Sequence, residues 1–147
     1  MTSMTALPEL PLGRRWTQSN VGGSVVRVRS DDEGIVELGV RRCISGRLRE
    51  TYPVSSHDIE LFGLNDAPPQ AFARALIELS DAVLRADPLC RRVVFAAPAG
   101  EADMGRAAEM AGFRPVVDVD VPGAELRLFV AEPDWVSNID LQRVPGA

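Results

Sequence analysis

The chain has 147 residues, 46% of them apolar and 25% charged, the size and balance of one globular unit that builds its core without disulfides or metals. Its net charge of −5 argues against a general nucleic-acid binder. All 16 basic residues are arginine, which rules out lysine chemistry such as a Schiff base, and one histidine with two cysteines rules out a His-rich metal centre and a disulfide framework. No apolar run approaches the ~20 residues of a membrane span, and the first residues lack a basic segment followed by an apolar one. The expectation is a cytoplasmic protein with no membrane contact, no nucleic-acid partner and no metal.

Residues 1–20 read as a loose leader punctuated by Pro8, Pro11 and Gly13, with Leu10, Leu12 and Trp16 as its anchors. A single domain is expected over 21–136, and a tail over 137–147. Residues 24–30 alternate Val26 and Val28 against Arg27 and Arg29, the period of a strand with one wet face. Asp31-Asp32-Glu33-Gly34 is a turn by composition, and residues 35–44 read as a second strand. Residues 47–54 read as a third, weakened by Pro53, and 57–64 as a fourth.

The period changes after Asn65. Asp66-Ala67-Pro68-Pro69 is a helix entry with Asp66 as the expected cap, and Phe72, Leu76, Leu79 and Val83 then recur at helical spacing up to Asp87-Pro88. A buried strand follows at 92–97, a helix at 101–111 closed by Gly112, and strands at 113–121 and 125–131. The fold class is α+β: an antiparallel meander followed by β-α-β-α-β-β, with the strands flanking the first helix paired in parallel.

This order, with Ala111-Gly112-Phe113 after the second helix, resembles the GNAT acyl-CoA N-acyltransferase superfamily. The stretches 87–95 and 111–122 look like its siderophore-biosynthesis branch, the aerobactin- and mycobactin-type acyltransferases. The resemblance implies an acyl-CoA donor, a small-molecule amine or hydroxylamine acceptor, and a coenzyme A pyrophosphate held at the start of the first helix. Gln70-Ala71-Phe72-Ala73-Arg74-Ala75 stands where the family has Gln/Arg-x-x-Gly-x-Gly/Ala, with Ala73 replacing the central glycine. The implied donor contacts are Leu64, Asn65 and residues 70–75, with Arg74 as the cation for a phosphate. The chain departs from the branch elsewhere. Phe62 stands for its strand-four histidine, Ala97-Pro98-Ala99 and Glu101 for its Glu-Pro-Asp and asparagine, and Ala108 for the frequent tyrosine acid. The helices usual between the first strands are expected to be missing.

Thioester aminolysis needs a base, a polarised carbonyl and a proton for the thiolate. Glu60, ten residues before Gln70 on the fourth strand, is the first candidate base, and a surface-facing strand carboxylate is the plain alternative. His57, at the start of that strand, is a further candidate, with a solvated or capping histidine as the plain alternative, and Asp58 shares a face with Glu60. Cys90 beside Arg91 and Arg92 reads as a small half-buried residue, with a thiol of lowered pKa as the alternative, and Cys43 as core. Two functions follow. One is an acyl-CoA-dependent N-acyltransferase. The other is a catalytically degenerate GNAT-like module that binds a larger biosynthetic enzyme. The resemblance implies that a trimmed pocket is completed by a second subunit, as a homodimer; the biosynthetic partner belongs to the second function.

Overall fold

Alternating apolar residues after Val26 build the sheet from its centre outward. The computed structural model describes residues 7, 10–20, 25–31, 34–50 and 57–132. Strands β1 (Trp16–Asn20), β2 (Val26–Asp31) and β3 (Ile35–Arg42) pair antiparallel in chain order, and β4 (Ile59–Gly63) joins β3 in the same sense. Helix α1 (Pro69–Ala86) then crosses over to β5 (Val93–Pro98), which runs parallel to β4. Helix α2 (Ala102–Met110) and the hairpin β6 (Arg114–Val121) and β7 (Ala124–Ala131) complete the unit. The seven strands form one mixed sheet in the order β1-β2-β3-β4-β5-β7-β6. This is the expected α+β order, with the parallel pair at the crossover.

Both helices cover one face of the sheet. Val28, Leu38, Val40, Ile59, Leu61, Val93 and Phe95 point to that face and pack on Phe72, Leu76, Leu79 and Val83 of α1 and Ala107 and Ala108 of α2. The opposite face carries Val94, Ala96, Leu126, Leu128 and Val130, joined by Cys43 and Leu48. Gly112, with φ +92, takes the left-handed conformation that closes α2, as its place in the sequence predicts.

The structure corrects four local readings. Trp16–Asn20, assigned to the loose leader, is the edge strand β1. It is held because Trp16 is buried and its indole N–H donates to Glu78 Oε1 of α1 at 2.8 Å. The third strand expected over 47–54 is instead a 3₁₀ turn at Arg47–Glu50, preceded by another at Cys43–Ser45, while 51–56 lie outside the described residues. Arg-Leu-Arg-Glu offers a single apolar side chain, and Leu48 buries it by folding under the sheet rather than extending along it. Helix α1 is capped by Pro68 with no side-chain bond, so Asp66 is not its cap. Cys43 begins a turn rather than lying mid-strand, its amide donating to the Asp58 carbonyl. Residues 133–147, including the expected tail and Trp135, lie outside the described residues.

Candidate active site

The site follows from where the parallel ladder stops. β4 and β5 pair over Ile59–Val93, Glu60–Val94 and Leu61–Phe95, and no further. β5 continues to Pro98 against β7, and β4 continues to Gly63 against β3. The two strands therefore diverge and open a cleft of about 430 Å³, lined by Phe62, Gly63, Leu64, Ala96, Met104 and Leu126 among others.

Strand parity shows what the cleft edge offers. The Ile59 amide donates across to Arg92 on the β5 side, while the Leu64 amide donates to Glu37 on the β3 side. Backbone groups of Ile59, Leu61 and Gly63 thus face β5, and those of Glu60, Phe62 and Leu64 face β3. Beyond the last rung, the Gly63 N–H is the next donor on the open edge. On the facing edge Pro98 has no N–H to close the gap. Gly63 also has no room for a side chain, because a Cβ would come within 2.6 Å of Met104 Cε and 2.9 Å of Phe72 Cζ.

Glu60 lies on the face away from the helices and has no exposed surface. Its Oε1 accepts from Arg41 Nε at 3.0 Å and its Oε2 from Arg47 Nε at 3.1 Å. Arg41 and Arg47 both lie over the Phe62 ring, at 4.5 and 5.7 Å from its centroid. The Phe62 ring in turn fills the space over Gly39, where a Cβ would meet it at 2.3 Å. A general base must reach its proton directly or through one water. Glu60 reaches the two guanidinium groups.

His57 and Asp58 sit at the opposite end of β4. Five residues of strand separate Asp58 from Gly63, about 16 Å. Asp58 is buried against Arg92 at 3.0 Å, so Asp58 and Glu60 each pair with arginine rather than with a shared proton or cation. His57 Nδ1 lies 3.2 Å from Asp87 Oδ2, and Arg42 Nη1 lies 2.7 Å from the same oxygen. Burial alone would raise the Asp87 carboxyl, but hydrogen bonds from Arg42, His57 and the Leu89 amide hold it below the ordinary carboxylate range. Cys90 is buried, and burial pushes its thiol up to about 12, with Asp58 adding to it, which leaves the plain packing reading and not the lowered thiol. Arg92 is turned to Asp58, and Cys90 Sγ donates to the Arg92 carbonyl at 3.3 Å. Burial likewise raises Cys43. Among the described residues no group of three or more His, Cys, Asp or Glu side chains is arranged to hold a metal ion.

The structure separates the expected donor contacts into three sets. Leu64 is exposed in the cleft wall. Asn65 clamps the connection, its Oδ1 accepting from the Glu37 amide and its Nδ2 donating to the Ile35 carbonyl, both at 2.8 Å. Residues 70–75 lie within α1 rather than in a loop before it. Ala71, Phe72, Ala73 and Ala75 are buried in the helix–sheet packing, and the Phe72 amide already bonds the Pro68 carbonyl. With prolines at 68 and 69, the amides of Gln70 and Ala71 are the donors the first turn leaves without an intrahelical partner. Arg74 is exposed one turn on.

Two cleft residues escaped sequence reasoning as proton carriers. Asp66, on the connection, and Glu101, at the α2 start, both line the cleft and are exposed. The signal was their position just after β4 and just after β5, the two strands that part.

No family model and no curated protein matches the chain. Solved structures do. Aminoglycoside acetyltransferase AAC(6')-Ib, in complex with coenzyme A and kanamycin, superposes with a TM-score of 0.65 at 16% identity, over 78% of this chain and 70% of that one. An uncharacterised protein from Bacillus halodurans gives 0.65 at 14% identity, over 81% of this chain and 63% of the other. Arabidopsis thaliana NAA60 with a bisubstrate analogue gives 0.50 at 18% identity, over 76% and 78%. At these identities the likeness is one of fold: a seven-stranded mixed sheet with two helices on one face, the GNAT-like acetyltransferase architecture. The connection from β1 to β2 spans five residues, too few for the helices the resemblance would place there.

Proposed function

We propose that the protein is an acyl-CoA-dependent N-acyltransferase acting on the amine or hydroxylamine of a small molecule. The observation that carries this reading is the parting of β4 from β5, with the Gly63 N–H turned into the gap. An extended chain bearing amides suits such an open strand edge, as a peptide suits a sheet edge, and the pantetheine arm of coenzyme A is such a chain. The amides of Gln70 and Ala71, at the positive end of an 18-residue helix, suit its diphosphate. Phe72, Ala73 and Ala75 contribute by packing that helix on the sheet.

The chemistry is direct. The amine nitrogen attacks the thioester carbonyl, and the Gly63 N–H stabilises the oxyanion that develops. The carbon–sulfur bond breaks, the amide product keeps the acyl group, and the thiolate leaves as coenzyme A thiol. The cleft carboxylates of Asp66 and Glu101 accept the amine proton and return one to sulfur. In this reading Glu60 is a positioning residue that holds Arg41 and Arg47 over Phe62. His57 and Asp58 brace the far end of β4. The finer reading, acylation in siderophore or other secondary metabolism, is supported by the local sequence resemblance over 87–95 and 111–122. A second copy or a partner enzyme would complete the acceptor side.

A second reading, a binding module without turnover, is favoured by one observation. Among the described residues no histidine, cysteine or tyrosine lines the cleft, and both Glu60 oxygens are occupied. Thermal unfolding with acetyl-CoA and longer acyl-CoAs, together with thiol release on a panel of amines, separates the two. At 100 times its Kd a ligand adds about 2.7 kcal/mol. A shift with thiol release is expected. A shift without release supports the binding module, and no shift with any acyl-CoA overturns the acyltransferase.

A further inference from the structure

We propose that the acceptor is an amino compound bearing a carboxylate, and that Arg47 takes that carboxylate at the lip of the cleft. The proposal rests on the acyltransferase reading and narrows its substrate. It begins with a charge imbalance. Arg41 and Arg47 close on the single carboxylate of Glu60, so the three groups carry one net positive charge. Neither guanidinium pairs with a second acid among the described residues.

Arg47 is the exposed member. Its side chain is 30% accessible and lines the cleft, whereas Arg41 is 19% accessible and is not among the lining residues. Arg47 turns Nε and Nη2 to Glu60, and among the described residues Nη1 has no partner of its own. The Phe62 ring gives both guanidinium groups a cation–π contact, at 4.5 Å for Arg41 and 5.7 Å for Arg47, which helps hold Arg47 at the lip. Phe62 itself is fixed against Gly39, so the lip is a preformed surface.

Among the described residues, the other charged ones lining the cleft are Asp66 and Glu101, which come from different elements than Arg47. The cleft is therefore bipolar. A zwitterion matches both signs, with its ammonium toward the acids and its carboxylate on Arg47. A polyamine matches the acids but brings like charge to Arg47, and a simple amine leaves the spare positive charge unanswered.

The test pairs each ω-amino acid with its own carboxamide, which holds chain length constant: glycine, 4-aminobutanoate and 6-aminohexanoate, with 1,6-diaminohexane as the dication. Acetyl-CoA is the donor and thiol release the readout. A charge-assisted bond to a carboxylate predicts that the best acid exceeds its amide by about 10-fold or more in kcat/KM. Arg47→Gln should cut that ratio at least about fivefold, and Arg47→Lys should retain part of it. Equal rates for every acid and its amide in the native protein overturn the proposal without any variant. So does faster turnover of the diamine, or a ratio that survives Arg47→Gln. Acetyl-CoA that is neither bound nor consumed overturns the acyltransferase reading itself, a different result from any of these.

Discussion

Glu60 shows how little a residue's name says about its role. Its place on the fourth strand was legible, and so was a carboxylate near the cleft. Its two arginine partners come from β3 and from a turn expected to be a strand, so their convergence was not legible. Glu60→Gln leaves two guanidinium groups sharing a neutral amide. Because their ends reach water, the expected loss is about 2 kcal/mol in denaturant unfolding, below the full cost for a wholly buried pair. Thiol release should persist in this variant. A collapse of kcat at unchanged KM would restore Glu60 as the base. Asp87 gives a prediction in pH. Its carboxyl is depressed in the folded state, so its contribution is present above the ordinary carboxylate pKa, about 4, and is lost as pH falls through the folded value. Asp87→Asn should cost about 3 kcal/mol at neutral pH by removing the carboxylate that neutralises buried Arg42. It should also flatten the acid limb of the stability profile; an acid limb identical to that of the native protein would remove Asp87 as its source.

At the scale of elements, the periodic segments were the readable ones. Both helices and β2 through β7 fall within a few residues of their expected positions, because each carries its own apolar repeat. β1 was missed because five residues with one aromatic carry no period. What holds it is Trp16 reaching Glu78, a partner 62 positions away that local pattern does not report. Trp16→Ala should therefore cost about 3 kcal/mol and lower Tm by roughly 10 °C, measured by calorimetry. A shift of a degree or two would return the strand to the status of a leader. Gly63 offers a test of the cleft edge. Gly63→Ala forces its new methyl against Met104 and the Phe72 ring, at about 1–3 kcal/mol. Since the methionine end is flexible and the ring is not, adding Met104→Ala should recover only part of that loss. Full additivity of the two changes would mean that the residues do not share the space.

For the molecule as a whole, composition and element order were enough for the fold class, since one crossover helix between two apolar strands admits few sheets. The cleft was not readable, because it depends on where a ladder stops rather than on any residue type. That ladder has a mechanical meaning. Among the described residues, three rungs between β4 and β5 are the seam between an amino-terminal ribbon of four strands and a carboxy-terminal ribbon of three. A donor lodged at the open end of such a seam acts as a rivet, bonded to one ribbon and packed on the other. Amide exchange at Leu61, Gly63 and Ala96 should then slow together when acetyl-CoA is added, while β1 and β6 at the outer edges keep their own rates. Slowing at the edges alone would put the ligand elsewhere. Occupancy of the seam would be read as stiffness across it, before any product is made.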